Sequence, residues 1–319
     1  MKLLIFGTGM IVNDFLNGVE EMPFDKVYLC GRTKEKVDEM VEKFSLDGAF
    51  YNVSDALASD AEVAYVGLPN NLHFEYAKAS LEAGKHVIVE KPFMTTEAEA
   101  QDIFDIARKA QKFVFEAALV FYFPAYKALA EDLATLGEIH LVDSNFSQYS
   151  SRYDRFLNGD IAPALNIKNC GGALMDLNVY NINLCVGLFG APDKATYSAT
   201  IKGGIDVSGV ALLEYGPMRA SCIASKSTSA PRHITIQGEK GSIYLPSSTS
   251  RAYEYRIDYN DGKTFVRDFR DEHHRMYHEF CEFASIIADQ NAEAFEEIAS
   301  RSLTTMKVLD ACRKSANIK

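Results

Sequence analysis

The sequence is poor in the features that would place it in a membrane, outside a cell or on a nucleic acid. No stretch approaches the ~20 apolar residues of a bilayer span, and the run Lys2-Leu3-Leu4-Ile5-Phe6 is too short for the apolar core of a secretion signal. The cysteines, Cys30, Cys170, Cys185, Cys222, Cys281 and Cys312, are scattered singly, with no C-x-x-C pair and no metal-like spacing. That pattern argues against a disulfide framework and for buried thiols in a reducing, cytoplasmic compartment. Positive charge is in deficit: 33 Lys and Arg stand against 44 Asp and Glu, a formal charge of −11. Such a chain repels nucleic acid and anionic lipid, so neither is an expected partner. Repeats, low-complexity tracts and flexible linkers are also missing, which predicts closely joined domains.

What remains is ordinary globular composition, 47% apolar and 24% charged, in a chain of 319 residues that is comfortable for two domains. The stretch Gly84 to Phe93, GKHVIVEKPF, organises the reading. His86 to Val89 is a short apolar run between a glycine turn and Glu90-Lys91-Pro92, the signature of a buried parallel strand. Ligands of open α/β sheets lie beyond the carboxyl ends of strands, so Lys91 is expected to point at a ligand while Pro92 turns the backbone out of the sheet. Alone, the tripeptide fits a solvated lysine at a strand end equally well.

The chain from its start supports the ligand reading. Leu3 to Phe6 is a strand running into Gly7-Thr8-Gly9-Met10-Ile11-Val12 and then a helical pattern. Gly7 permits a tight turn and Gly9 lets backbone approach a pyrophosphate at the helix N-terminus. Val12 stands where the dinucleotide fingerprint has Gly or Ala, predicting a slightly wider helix-strand packing. After the second strand, Val27 to Cys30, comes Gly31-Arg32-Thr33 with no carboxylate for a ribose 2'-hydroxyl. A guanidinium suits a 2'-phosphate, so NADP is expected over NAD; the alternative is that Arg32 only stacks on adenine. Thr33 caps a helix to about Phe44, Val63 to Gly67 is a strand, Pro69 to His73 a loop, and Phe74 to Ala83 a helix. Thr95 or Thr96 caps another helix, followed by a strand at Lys112 to Ala117. This alternation predicts a doubly wound parallel nucleotide-binding domain over 1–120.

Beyond it the pattern changes. Pro124 opens a helix, Leu141 to Tyr149 is a strand, and Gly171 to Phe189 is helical after a loop-rich segment. Alternating strand-like runs follow from about 194 to 269, separated by hairpin turns such as Asn260-Asp261-Gly262. A second α+β domain over 121–319 with a largely antiparallel open sheet is expected, closed by helices at about 273–288 and 292–316 that can pack back on the first domain. One face of such a sheet needs a cover, so a homodimer or homotetramer through it is expected.

Gly7-Thr8-Gly9, the Pro69-Asn70 to His73 loop, Ala83 to Val87 running into Glu90-Lys91-Pro92, and Gly171-Gly172-Ala173-Leu174-Met175-Asp176 together resemble the Gfo/Idh/MocA family of oxidoreductases over nearly the whole chain. The resemblance implies a Rossmann domain, an α/β domain with an open antiparallel sheet, and hydride transfer between a nicotinamide and a carbon bearing hydroxyl or carbonyl. It implies that Lys91 contacts nicotinamide ribose and substrate, that Asp176 binds the reacting sugar, and that Asn70 and His73 lie beside the cofactor. Cofactor contacts are thus expected from Gly7, Thr8, Gly9, Met10, Ile11, Arg32, Thr33, Pro69, Asn70, His73, Glu90 and Lys91. The chain departs from the commonest family pattern at Cys170, Asn178, Tyr180 and Asn183, where glycine, glycine, histidine and aspartate are usual. The tyrosine is similar to the branch with glucose-fructose oxidoreductase, dimeric dihydrodiol dehydrogenase and D-xylose dehydrogenase.

Hydride transfer creates or consumes an alkoxide, so a proton carrier and a nearby cation are needed. Tyr180 lies four residues after Asp176, on one helix face. The expectation is Tyr180 as acid/base, Lys91 as its electrostatic partner and Asp176 as hydroxyl anchor, all catalytic; the alternative for Tyr180 is a core tyrosine. Arg152, Tyr153, Asp154 and Arg155 either reach substrate or form loop ion pairs. His273, His274 and His278 suggest a metal, but nothing completes a ligand set. The competing functions are a silent NADP-binding sensor on the same fold, and an imine or enone reductase.

Overall fold

The computed structural model describes residues 1–251 and 253–318. They form two compact units, one of Met1–Ala117 with His273–Leu303, the other of Ala118–Glu272 with the residues from Thr304 onward.

The first unit alternates strands and helices: β1 (Lys2–Phe6), α1 (Met10–Leu16), β2 (Lys26–Cys30), α2 (Lys34–Lys43), β3 (Gly48–Phe50), α3 (Val53–Leu57), β4 (Val63–Val66), α4 (His73–Glu82), β5 (His86–Glu90), α5 (Glu97–Ala110) and β6 (Val114–Ala117). All pairs in the sheet are parallel, in the order β3-β2-β1-β4-β5-β6. β4, β5 and β6 are buried at every residue, which is why they read as unbroken apolar runs. The strand order reverses between β1 and β4, the place where doubly wound sheets hold their ligands. Thr96 caps α5 by accepting from the Glu99 N–H, while Gln111 ends it in a left-handed conformation. β3 and α3 are absent from the sequence expectation: three half-buried residues make no apolar run.

The second unit begins with α6 (Pro124–Leu133), β7 (Ile139–Ser147) and α7 (Tyr153–Leu157). A π-helical turn, Leu174–Asn178, runs straight into α8 (Val179–Phe189). Then come β8 (Lys194–Lys202), β9 (Ile205–Tyr215), β10 (Met218–Ser225), β11 (His233–Gly238), β12 (Gly241–Leu245), β13 (Glu254–Tyr259) and β14 (Thr264–Asp268). They form one sheet ordered β14-β13-β12-β11-β7-β10-β9-β8, antiparallel except for β7 beside β10. Ala211 on β9 and Ala220 and Cys222 on β10 are buried, whereas Val210 and Leu212 on β9 and Leu141 on β7, which point to the opposite face, are exposed. One face of the sheet is therefore covered, while the other carries exposed Leu141, Val210 and Leu212 among polar side chains such as Asp143, Arg219 and Thr235.

The last two helices, α9 (Tyr277–Ala288) and α10 (Ala292–Ser315), explain why the units are not simple halves of the chain. Phe280 packs against Phe15 and Tyr65 at ring separations of 4.6 and 5.2 Å, Phe283 stacks on Phe115 at 4.6 Å, and Phe295 meets Phe113 at 5.0 Å. This aromatic layer covers the parallel sheet with residues from the far end of the chain, so residues 273–303 belong to the first unit and the second is not the unbroken span 121–319. α10 ends in the second unit, where Thr305 donates to Asn183 (2.7 Å) and Ser315 accepts the Tyr197 N–H (2.7 Å).

Candidate active site

In the first unit the turn after β1 is built around Gly7, whose φ of +118° favours glycine and whose added Cβ would lie 2.5 Å from the Gly67 carbonyl oxygen. Gly9 caps α1 in extended backbone, and a Cβ there meets nothing within 4 Å. Thr8 and Ile11 are half-buried, and Met10 is exposed. The bulk of Val12 is taken up by Gly67 at the end of β4: a side chain at 67 would come 2.5 Å from Val12 Cγ2. The third fingerprint glycine has in effect moved to the facing strand.

At the end of β2, Arg32 is exposed and engages no carboxylate among the described residues. Asp38 on α2 is occupied by Lys34 Nζ (2.9 Å) and Tyr51 OH (2.6 Å). Thr33 caps α2 through its backbone alone, its carbonyl accepting from Val37 N–H.

Pro69 and Asn70 are half-buried at the turn after β4. His73, fully buried, ties that turn to the segment after β5: Nε2 lies 2.9 Å from the Leu68 oxygen, and Nδ1 lies 3.0 and 3.3 Å from the Pro92 and Phe93 oxygens. Burial lowers its pKa, favouring the neutral ring. With both nitrogens turned to backbone carbonyls, His73 positions the Lys91-Pro92-Phe93 backbone rather than presenting a polar atom to a ligand. Glu90 likewise turns inward, accepting from Tyr65 OH at 2.6 Å, its pKa raised by burial. Lys91 is half-buried at the strand end, and the Lys91–Pro92 peptide is cis.

The second unit holds Asp176 and Tyr180. Cys170, the departure from glycine, adopts φ +52°, and Gly172 follows with φ +112°. A Cβ on Gly172 would come 1.9 Å from Asp206 Oδ1. Asp206 accepts from the Leu174 N–H (2.7 Å) and from Tyr197 OH (2.9 Å), fixing the start of the π turn; burial pushes its pKa up to about 6. Asp176 lies within the π turn, a distortion frequent at functional sites. Its carboxylate is ion-paired with Lys226 Nζ, the lysine side chain 3% exposed and the aspartate 30%. Tyr180, buried, sets its ring 5.5 Å from Phe146. Asn178 donates to the Cys222 carbonyl (2.9 Å), and Asn181 donates to Asn178 Oδ1 (2.8 Å) and accepts from Ser144 (2.7 Å). Asn178 and Asn183, two of the departures from the family pattern, therefore hold this helix to its surroundings.

The remaining candidates are local. Arg155 pairs with Asp160, and Tyr149 OH donates to Asp154. His273 and His274 precede α9 and face Glu21 and Asp14, so only His278 of the three histidines lies on that helix. The sequence reading missed Lys226 and Asp206. Lys226 had a signal: like Lys91, it is a lysine directly after a strand, here β10, which is buried at alternate positions.

Two family models match the chain: an oxidoreductase family with an NAD-binding Rossmann fold over residues 1–118, and the GFO/IDH/MocA C-terminal domain over residues 127–244. The chain belongs to the Gfo/Idh/MocA family of oxidoreductases. Among family members, the scyllo-inositol 2-dehydrogenase (NADP(+)) IolU of Bacillus subtilis (strain 168) is 32% identical over 323 residues, spanning 100% of this chain and 98% of its own. The trans-1,2-dihydrobenzene-1,2-diol dehydrogenase of Mus musculus is 30% identical over 248 residues, 74% of this chain and 72% of its own. In fold the chain is similar to KijD10, a 3-ketoreductase from Actinomadura kijaniata solved with NADP and TDP-benzene: TM-score 0.85, 22% identity, 99% of this chain and 97% of that one. The Gfo/Idh/MocA Rossmann and C-terminal matches correspond to the parallel and the mostly antiparallel sheets.

Proposed function

We propose that this protein is an NADP-dependent dehydrogenase or reductase acting on a hydroxyl or carbonyl carbon of a sugar, polyol or dihydrodiol-type substrate. The observation that carries the reading is Tyr180, a proton carrier one helical turn beyond an Asp176 carboxylate held by a buried lysine. A sensor of the same fold has no need of that set. The relatives named for inositol and dihydrodiol dehydrogenation support the substrate class.

The residues present fit a dinucleotide: Gly7 admits no side chain, Gly9 leaves open space at the start of α1, and Arg32 is a cation uncommitted to any carboxylate at the end of β2. Gly7, Thr8, Gly9, Met10 and Ile11 would hold the pyrophosphate, Arg32 with Thr33 a 2'-phosphate, and Pro69, Asn70 and Lys91 the nicotinamide end. When bound, the cofactor supplies or accepts the hydride. Tyr180 takes the hydroxyl proton on oxidation and returns it on reduction. Lys91 stabilises the negative charge that develops on the substrate oxygen. Asp176 accepts from a neighbouring substrate hydroxyl and orients the reacting carbon.

The test is NADPH absorbance followed against sugars, polyols, trans-dihydrodiols and their carbonyl products. Turnover with members of this panel is expected; tight NADPH binding with no turnover would favour a sensor. We also infer a homodimer or homotetramer through the sheet face carrying Leu141, Val210 and Leu212, which supplies the missing cover; a monomer by sedimentation equilibrium would overturn it.

A further inference from the structure

Lys226 enters the proposed chemistry only as the partner of Asp176, and its surroundings are specific. It follows β10 directly, and its backbone is fixed on both sides: its N–H donates to the Val207 carbonyl (2.8 Å) and its carbonyl accepts from Ser150 N–H (2.8 Å). Its side chain is 3% exposed. The ammonium reaches Asp176 in the π turn, and its charge is also felt by Asp206, the carboxylate that starts that turn. Burying an ammonium is costly, and a buried ion pair contributes little net stability over an apolar pair of the same volume. The pair is also lopsided: the lysine is sealed and the aspartate is open, 30% exposed. An ammonium that cannot reach solvent acts on a ligand only through its partner. Asp176 sits in a π turn, an arrangement frequent at functional sites, and the ion pair ties its carboxylate to the end of β10.

We propose that Lys226 is a positioning residue of the substrate site: its buried ammonium fixes the direction of the Asp176 carboxylate and keeps it negatively charged, leaving the exposed side of that carboxylate to accept a substrate hydroxyl. This rests on the role of Asp176 in the proposed function but is separable from it. Without the ammonium, Asp176 loses an opposite charge in direct contact.

The first arm of the test needs neither substrate nor cofactor. Carboxyl resonances of aspartate-labelled protein are followed through a pH titration in wild type and Lys226→Met, with Asp176→Asn supplying the assignment. The Asp176 midpoint in Lys226→Met is expected to rise by about one pH unit or more, a roughly tenfold change in protonation equilibrium. An unchanged midpoint overturns the proposal whatever the activity. The second arm uses scyllo-inositol and NADP. KM for the inositol rises about tenfold or more in Lys226→Met, kcat falls less, the acid limb of kcat/KM moves to higher pH, and Kd for NADP is unchanged. If Lys226→Met does not fold, Lys226→Arg decides. Charge is kept and direction lost, so the Asp176 midpoint stays while KM rises; an unchanged KM overturns the positioning role. Absence of scyllo-inositol turnover in wild type bears on the substrate class alone, because the titration still decides the role of Lys226.

Discussion

Glu279 offers a quantitative test of the aromatic layer that covers the parallel sheet. It lies on α9 beside Phe280, fully buried, and neither carboxyl oxygen has a hydrogen-bond partner among the described residues. Burial raises its pKa well above the ordinary carboxylate range; Glu90 and Glu116 push the same way and Arg275 opposes. A folded-state pKa above the unfolded value gives stability that is complete below the unfolded value, near ~4.3, and lost as pH rises towards the folded one. Each pH unit over which the unfolded carboxyl is ionised while the buried one keeps its proton costs about 1.4 kcal/mol. Glu279→Gln keeps the volume and the unpartnered polar atoms but cannot ionise, so it isolates this electrostatic cost. At about 2–4 °C per kcal/mol, each such pH unit sets the glutamine variant roughly 3–6 °C further above wild type, with the difference shrinking to nothing near pH 4. Differential scanning calorimetry across pH 4–7.5 reads it directly. Equal Tm values at pH 7, or a difference independent of pH, would refute the argument.

Lys91→Met and Tyr180→Phe are expected to lower kcat about a hundredfold or more with Tm little changed, and Tyr180→Phe to leave the Kd for NADP unaltered; unaltered turnover in either removes that residue from the chemistry. Arg32→Ala removes the exposed guanidinium at the end of β2 and is expected to raise KM for NADP about 10–100-fold while leaving KM for NAD nearly unchanged; parallel changes for both cofactors would mean that Arg32 only stacks. Gly172→Ala drives a methyl onto Asp206 at a φ of +112° and is expected to cost about 3 kcal/mol or more in denaturant unfolding. A loss under about 0.5 kcal/mol would show that the Asp206 anchor yields easily.

The parallel sheet was legible because strands buried on both faces are written as continuous apolar runs between glycine turns, and β1, β4, β5 and β6 are all of that kind. β3 escaped because three residues give no run and no alternation. The π turn was invisible because over five residues, Leu174–Asn178, apolar spacing does not separate 3.6 residues per turn from a wider spiral. Lys91, Asp176 and Tyr180 stood out through local spacing and family resemblance. Lys226 lies fifty positions beyond Asp176, and only strand pairing brings the two together. His73 was legible as part of the site, but its bonding to Leu68, Pro92 and Phe93 depends on two loops meeting. Neither residue carries a periodicity that announces its partner.

The order in which the chain is made gives the aromatic layer a further consequence. Residues 1–117 leave the ribosome first, but Phe280, Phe283 and Phe295 come only after the whole of 118–272 has been synthesised. At about 5–20 residues per second, the apolar face carrying Phe15, Tyr65 and Phe115 waits on the order of ten to thirty seconds for its cover. During that interval the nascent sheet is a natural client for a chaperone. A stalled or C-terminally clipped chain keeps that face bare.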